Sequence, residues 1–409
     1  MTDEPEFDVL VAGGGLVGAS LARALAGSPL RIALVEAMPP GRAGKPGFDE
    51  RSTALAPTSR RLFRALGCWN ALAAEAAPIR VIHVSDQGHF GITRLRAADH
   101  GLDALGHVVP NRVLGGVLAE GLAGQRNVQL FAPARVRHVQ QDAGGVIVDL
   151  DGDDLAPRVR TRLLVAADGG DSPIRRQLGI TMSQRDYGQS ALVANVAPDR
   201  DPGGWAYERF TRTGPLALLP LSGGRCALIW TMPPARAARL MQLDDAAVLG
   251  QLQDAFGYRL GRINGIGERS LYPLHLRQAR RLVEGRTVLL GNAARTLHPV
   301  AGQGFNLALR DVAELADCIC RAAHSGWDPG SAAVLAGYQR RRRRDQRKVA
   351  GFTDALVRAF SSSDPLLATG RNLGLVALEL IPGLRHGLAR QAMGWGGPLP
   401  RLSRGLLPD

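Results

Sequence analysis

The segment FDVLVAGGGLVGASLARALAGSPLRIALVE, residues 7–36, constrains the fold more than any other stretch. Phe7, Val9, Leu10, Val11 and Ala12 form a short apolar run enriched in β-formers, which predicts a strand buried on both faces. Gly13, Gly15 and Gly18 follow at G-x-G-x-x-G spacing, and apolar residues then recur at helical spacing up to Gly27. RIALVE reads as a second strand that ends on an acid, Glu36. A lone glycine motif is weak. One set between a strand and a helix, with an acid closing the next strand, is a dinucleotide-binding unit. Gly13 allows the tight turn, Gly15 admits a pyrophosphate to the backbone, and Gly18 lets helix and strand pack closely. Unpaired N–H groups and the positive dipole end at Leu16 and Val17 favour the anion. Glu36 is placed to accept hydrogen bonds from an adenosine ribose. The unit alone does not separate FAD from NAD.

The remaining composition excludes several classes. The chain has 409 residues, 45% of them hydrophobic, enough for one elaborate enzyme or two to three domains. The acidic start MTDEPEFDVL lacks a basic region followed by an apolar one, so no secretory signal is expected. No uninterrupted apolar stretch reaches about 18 residues, so no transmembrane helix is expected. Cys68, Cys226, Cys318 and Cys320 have no metal-ligand spacing and read as reduced, buried thiols; no metal is expected. The net charge of +13 rests almost wholly on arginine, since Lys45 and Lys348 are the only lysines, and this skew weakens charge as a functional signal. No aromatic-basic interleaving marks a nucleic-acid partner. The run Arg340 to Arg344 is either a solvated helix face or a basic patch for acidic lipid.

The segment after Glu36 favours FAD. A loop rich in Gly and Pro, AMPPGRAGKPGFDE, leads to RSTALAPTSRRLFRALG, which reads as a helix from Arg51. A simple NAD domain would continue its regular strand–helix alternation, whereas this excursion places Arg51 near the cofactor. Here the chain resembles the para-hydroxybenzoate-hydroxylase type of FAD monooxygenase. Further motifs fit that resemblance. In TRLLVAADGGDSPIRRQLGI, Asp168, Gly169, Ser172 and Arg175 match the family's second fingerprint, which packs near the FAD pyrophosphate. Read without the family, it is a strand, a turn and a helix capped by Ser172 with Pro173 at its first position. The helix in VVPNRVLGGVLAEGL starts near Asn111, and the resemblance implies FAD contact by Asn111 or Arg112.

Between Tyr187 and Trp230 the period becomes that of strands, with turns at Asp201–Gly204 and Ser222–Gly224. ERFTRTGPLALLPLSGGRCALIW resembles the ubiquinone-biosynthesis branch of the family, the 2-polyprenyl-6-methoxyphenol hydroxylase type, which implies that Gly214 and Pro215 lie on the substrate side. The third fingerprint is GNAARTLHPVAGQGFNLALRD, residues 291–311. Its loop Gly302–Gln303–Gly304 feeds a helix expected from Asn306. Backbone N–H groups of Gly304, Phe305 and Asn306 would stabilise negative charge on a reduced flavin ring. Gly291–Asn292 stands where the family usually has Gly-Asp; Asn292 can still accept a bond from the ribitol chain, and the ubiquinone branch commonly carries it. His298 and Pro299 stiffen the loop and wall the substrate side, with a catalytic-base role for His298 as the alternative. The tail from Ala350 is helical, broken at Pro365, Pro382 and Pro398, and LGLVALELIPGLRHGLARQAMGWGG suits either the protein's own core or an anionic membrane.

The expected fold is α/β: a Rossmann-like FAD domain from 1–75, 100–180 and 276–330, an inserted, mostly antiparallel β-sheet substrate domain from 76–99 and 181–275, and a C-terminal helical region, 331–409. By resemblance, the chain hydroxylates a polyprenyl phenol with NAD(P)H, O2 and a flavin C4a-hydroperoxide. It would work in the cytoplasm, at the inner membrane surface and within a ubiquinone-biosynthesis complex. A prenyl-chain reductase and a non-catalytic flavin-fold scaffold are the alternatives. The sequence leaves the oligomeric state open.

Overall fold

A computed structural model describes residues 6–39, 51–152, 158–297, 302–361 and 365–409. Phe7–Ala12 is buried throughout and lies between two parallel partners, Arg158–Ala166 and Ile32–Val35. The parallel sheet extends to Thr287–Leu289 on one side and Val128–Phe131 on the other. Phe7–Ala12, Ile32–Val35 and the end of Arg158–Ala166 from Leu163 are near-continuous buried apolar runs, as expected of the interior of a parallel sheet. Helix Leu16–Leu25 packs against the long helix Gln303–His324, and both join the sheet in one core. An antiparallel pair, Ala134–Gln141 with Val146–Gly152, branches from the N-terminal end of Arg158–Ala166.

A second, nine-stranded sheet is antiparallel except where Trp205–Thr211 runs parallel to Val81–Asp86. It is built from residues 81–96 and 182–279, and Arg295–Thr296 adds an edge strand. Its core packs Trp230, Leu192, Leu216 and Phe256. Between the sheet-forming stretches, Ser52–Leu55, Gly106–Pro110 and Ala77–Ile79 form a three-stranded sheet. That sheet meets the larger one through Ile79 and Val108 against Ala206 and Leu221.

Three details differ from the sequence reading. Residues 52–55 form a strand, and the helix begins at Pro57 rather than Arg51. Proline disfavours helical backbone in the residue before it and suits the first helical turn, so the helix starts there. The long helix begins at Gln303, three residues before Asn306, which places Gly304 in its first turn. Arg340–Arg344 is neither a uniformly solvated face nor a uniform basic patch. Arg342 is buried and paired with Asp311 at 2.5 Å and Asp345 at 2.8 Å, while Arg340, Arg343 and Arg344 are exposed. All four cysteines are free and buried, as read from the sequence.

Candidate active site

The glycines of the first loop are required for different reasons. A Cβ on Gly13, whose φ is +102°, would lie 2.5 Å from the Ala167 carbonyl oxygen. A Cβ on Gly18 would lie 1.9 Å from the Gly13 carbonyl oxygen. Gly15 differs: nothing lies within 4 Å of the position its Cβ would take. The protein therefore forbids side chains at Gly13 and Gly18 by its own packing, and at Gly15 it leaves open space. Gly15 also caps helix Leu16–Leu25 without a side-chain bond, so the first N–H groups of that helix, including those of Leu16, Val17 and Gly18, are free of intrahelical partners. Glu36 sits beside them, accepting bonds from the Gly14 N–H at 2.6 Å and the Met38 N–H at 2.8 Å.

The second fingerprint closes on the same place. Ser172 caps helix Pro173–Gln177 by accepting from the Arg175 N–H at 3.0 Å. Asp168 accepts from the Ile174 N–H through Oδ2, while its buried Oδ1 has no partner. Burial raises the Asp168 carboxyl above its ordinary range, against the opposing pull of Ser172, backbone N–H groups and Arg175. Arg175 donates from Nη1 to the Gly170 carbonyl at 2.9 Å and the Ala293 carbonyl at 3.0 Å, tying the second fingerprint to the third. The Gly291–Ala293 turn lies against helix Leu16–Leu25, since a Cβ on Gly291 would come within 3.1 Å of Val17. Asn292 in that turn is exposed.

Gly302, with φ +59°, caps the long helix and again supplies no side-chain bond, and the space at Gly304 is open. The Asn306 side chain is committed to the protein. It accepts from the Ala56 N–H and the Ser59 hydroxyl, and donates to the Ala54 and Gly302 carbonyls, all within 2.8 Å. Arg51 is exposed, with its guanidinium 5.9 Å from the Tyr272 ring centre. Asn111 opens its helix as expected and accepts from the Thr53 hydroxyl, while Arg112 pairs with Glu75 at 3.8 Å. His298 and Pro299 lie outside the described residues.

The start of the long helix faces a cavity of about 550 Å³. Gln303, Gly304 and Phe305 line one side, and the large sheet lines the other with alternate residues of five strands. Ala206, Glu208 and Phe210 come from one strand; Pro215, Ala217 and Leu219 come from its neighbour. Gly214 precedes Pro215 with φ +142°, and a Cβ there would lie 2.7 Å from the Thr231 carbonyl. Leu375, Leu378, Leu388 and Ala389 of the C-terminal helices, with Met393 in the turn that follows, complete the lining. The lining is overwhelmingly apolar, and Glu208 is the one charged residue in it among those described.

Two open glycine positions, two uncapped helix starts and an orphaned carboxylate oxygen fit a long dinucleotide that ends in a flat ring. Comparison with known proteins agrees. A family described as "FAD binding domain" matches residues 6–353. The chain is 38% identical over 403 residues to ubiquinone hydroxylase UbiL of Rhodospirillum rubrum, covering 98% of this chain and 93% of that one. It is 32% identical to 3-demethoxyubiquinol 3-hydroxylase of Escherichia coli, covering 96% and 100%. The chain belongs to the FAD-dependent ubiquinone-biosynthesis hydroxylase family. It is an FAD monooxygenase, with the para-hydroxybenzoate-hydroxylase-like fold. p-Nitrophenol 4-monooxygenase PnpA from Pseudomonas putida superposes on it with a TM-score of 0.79 at 19% identity, over 95% of this chain and 98% of that chain.

Within this hydroxylase fold the three fingerprints come together at one site, though they stand more than 250 residues apart in sequence. Sequence reasoning passed over Glu208, which stands inside the quoted ERFTRTGPLALLPL motif. The signal was present: Glu208 is an acid at the cavity-facing period of a strand whose same-face neighbours, Ala206 and Phe210, are apolar.

Proposed function

We propose that the protein hydroxylates the ring of a polyprenylated phenol, using O2 and NAD(P)H. The observation that carries this reading is the cavity itself: apolar, about 550 Å³, and lined by the Gly304 helix, the large sheet and the two C-terminal helices. FAD, when bound, would supply the redox chemistry that couples NAD(P)H to O2. Leu16, Val17 and Gly18 N–H groups hold the pyrophosphate, Glu36 the adenosine ribose, and Asp168 and Asn292 the chain between pyrophosphate and ring. Asn111 suits cofactor contact better than Arg112, which is engaged by Glu75. Gly304 and Phe305 present N–H groups to the ring. Asn306 contributes at most its backbone, because its side chain locks the helix start to residues 54–59. Gly214 and Pro215 shape the substrate face.

This reading expects NAD(P)H-dependent conversion of a polyprenyl phenol to a product carrying one atom from isotopically labelled O2. Saturation of the prenyl chain without oxygen incorporation would instead identify a reductase. Gly304→Val fills space the ring needs. Turnover is expected to fall about 10²-fold, the scale of losing one preorganised donor. Unchanged steady-state turnover in a folded variant removes the ring from this helix.

A membrane-bound substrate also needs an entrance, and the C-terminal helices supply one. Residues 365–380 and 382–392 turn Leu375, Leu378 and Leu388 inward, while Leu373, Leu380, Ile381 and Leu384 are exposed; Leu380 is 73% exposed. Asn372, donating to Asp86 at 3.0 Å, and Glu379, accepting from the Arg94 N–H at 2.7 Å, hold the first of these helices against the sheet edge. No helix among the described residues is long and apolar enough to cross a membrane. The leucines, with exposed Arg390 beside them, suit interfacial contact with an anionic bilayer. Replacing Leu380, Ile381 and Leu384 by serine is expected to abolish cosedimentation with phosphatidylglycerol vesicles while leaving turnover of a short-chain phenol intact. Equal cosedimentation of variant and parent contradicts this entrance.

A further inference from the structure

Glu208 has no structural duty among the described residues. No hydrogen bond or ion pair engages its carboxyl there, and burial is the sole influence on its titration. It stands mid-sheet, opposite Ala217 on one neighbouring strand and Val84 on the other. Val84 is in turn opposite Thr93, and Ala217 is opposite Ile229. The acid thus lies at the centre of a cavity-facing row that is otherwise apolar or hydroxyl-bearing. Tyr207, next along the strand, turns its ring to the opposite face against His83 and Phe256. No other charged group lines the cavity among the described residues, and Gln303, Gly304 and Phe305 form the opposing wall. An unpartnered carboxyl in such surroundings is costly to keep unless a ligand engages it.

We infer that Glu208 is the residue that receives the ring hydroxyl of the phenol substrate and takes its proton. This rests on the phenol hydroxylase reading. The hydroxyl O–H bond breaks, its proton moves to the Glu208 carboxylate, and the oxygen's electron pair enriches the ring carbons that an electrophilic oxygen attacks. The new C–O bond forms as the O–O bond of the O2-derived oxidant breaks. The attacked carbon then releases its hydrogen as a proton, which ends in the water that carries the second oxygen atom; the ring regains aromaticity, and Glu208 returns its proton to the phenolate oxygen. Burial raises the Glu208 carboxyl to about 7, so its basic form develops through neutrality. A base poised near the working pH is the efficient arrangement for proton transfer.

The test uses Glu208→Gln, which is isosteric and removes the one charge of the cavity wall among the described residues, so folding is checked by FAD absorbance and melting temperature. In the parent, kcat/KM for a polyprenyl phenol should rise with pH through about 7. In the variant it should fall about 10²-fold at pH 8 and lose that rise, because general-base loss is on that scale. A nitrophenol probe gives a second readout independent of turnover: the parent should bind it as the coloured phenolate at pH 7, and the variant as the neutral phenol. Parent-like kcat/KM, pH profile and probe ionisation in the variant overturn the assignment. If the parent hydroxylates no prenylated phenol yet ionises the bound probe through Glu208, the substrate reading fails and the proton-accepting role stands.

Discussion

Gly15→Val is expected to give a folded, colourless protein. The Gly15 backbone is ordinary, with φ −61° and ψ 178°, and no protein atom lies within 4 Å of its Cβ position. Valine there strains nothing in the chain itself. Its methyl groups instead occupy the approach to the unpaired N–H groups of helix Leu16–Leu25, the proposed site of the FAD pyrophosphate. FAD content, read from the visible spectrum of the purified variant, should be near zero, with far-ultraviolet circular dichroism like that of the parent. The melting temperature should fall only by the stabilisation that bound cofactor lends the folded state. Gly18→Val is the contrasting case: its Cβ collides with the Gly13 carbonyl, so that variant should misfold. Normal FAD content in a folded Gly15→Val protein removes the pyrophosphate from this loop.

Asp311→Asn is expected to destabilise the fold by about 3–5 kcal/mol, the scale of breaking a buried ion pair by removing one partner. Asp311 receives Arg295 at 2.7 Å and Arg342 at 2.5 Å, and Gln346 donates to it at 3.1 Å. All four side chains are buried. The cluster fastens the long helix to the third fingerprint through Arg295, and to helix Ala332–Ser361 through Arg342. Asparagine would leave the buried Arg295 guanidinium without its counter-charge and Arg342 with Asp345 alone. The pH dependence follows from the same geometry. Burial acts to raise the Asp311 carboxyl, and Arg295 and Arg342 outweigh it, holding it below its ordinary value. Its contribution is therefore present above the unfolded pKa of about 4 and lost as pH falls through the lower folded value. Denaturant melts at pH 7 and at pH 3 should show a gap between parent and variant that narrows in acid. A gap that stays constant or widens in acid contradicts this account of the cluster.

The residues that were legible in sequence are those on which the backbone itself makes a demand. Gly13 and Gly18 are fixed by contacts a Cβ cannot share, and Ser172–Pro173 announces a helix start by its own chemistry. The misreadings have physical causes too. Ser52–Leu55 becomes a strand because its partner, Gly106–Pro110, lies about 50 residues on, and no local pattern reveals that pairing. The long helix starts earlier than expected because Asn306, four bonds deep in residues 54–59 and 302, holds Gln303–Phe305 in helical register despite a glycine. Arg342 cannot be told from its four arginine neighbours until Asp311 is brought beneath it. Glu208 acquires its meaning only from the apolar residues set opposite it by sheet pairing.

The central claim is that both glycine-rich stretches grip one FAD, with the pyrophosphate at Gly15 and the ring at Gly304 beside the Glu208 cavity. The visible spectrum of the purified protein, recorded during titration with a polyprenyl phenol, tests it directly. The claim predicts one tightly held FAD per chain and a saturable shift of the flavin bands as the phenol fills the cavity. A protein that cannot take up FAD, or a flavin spectrum indifferent to saturating phenol, would contradict it.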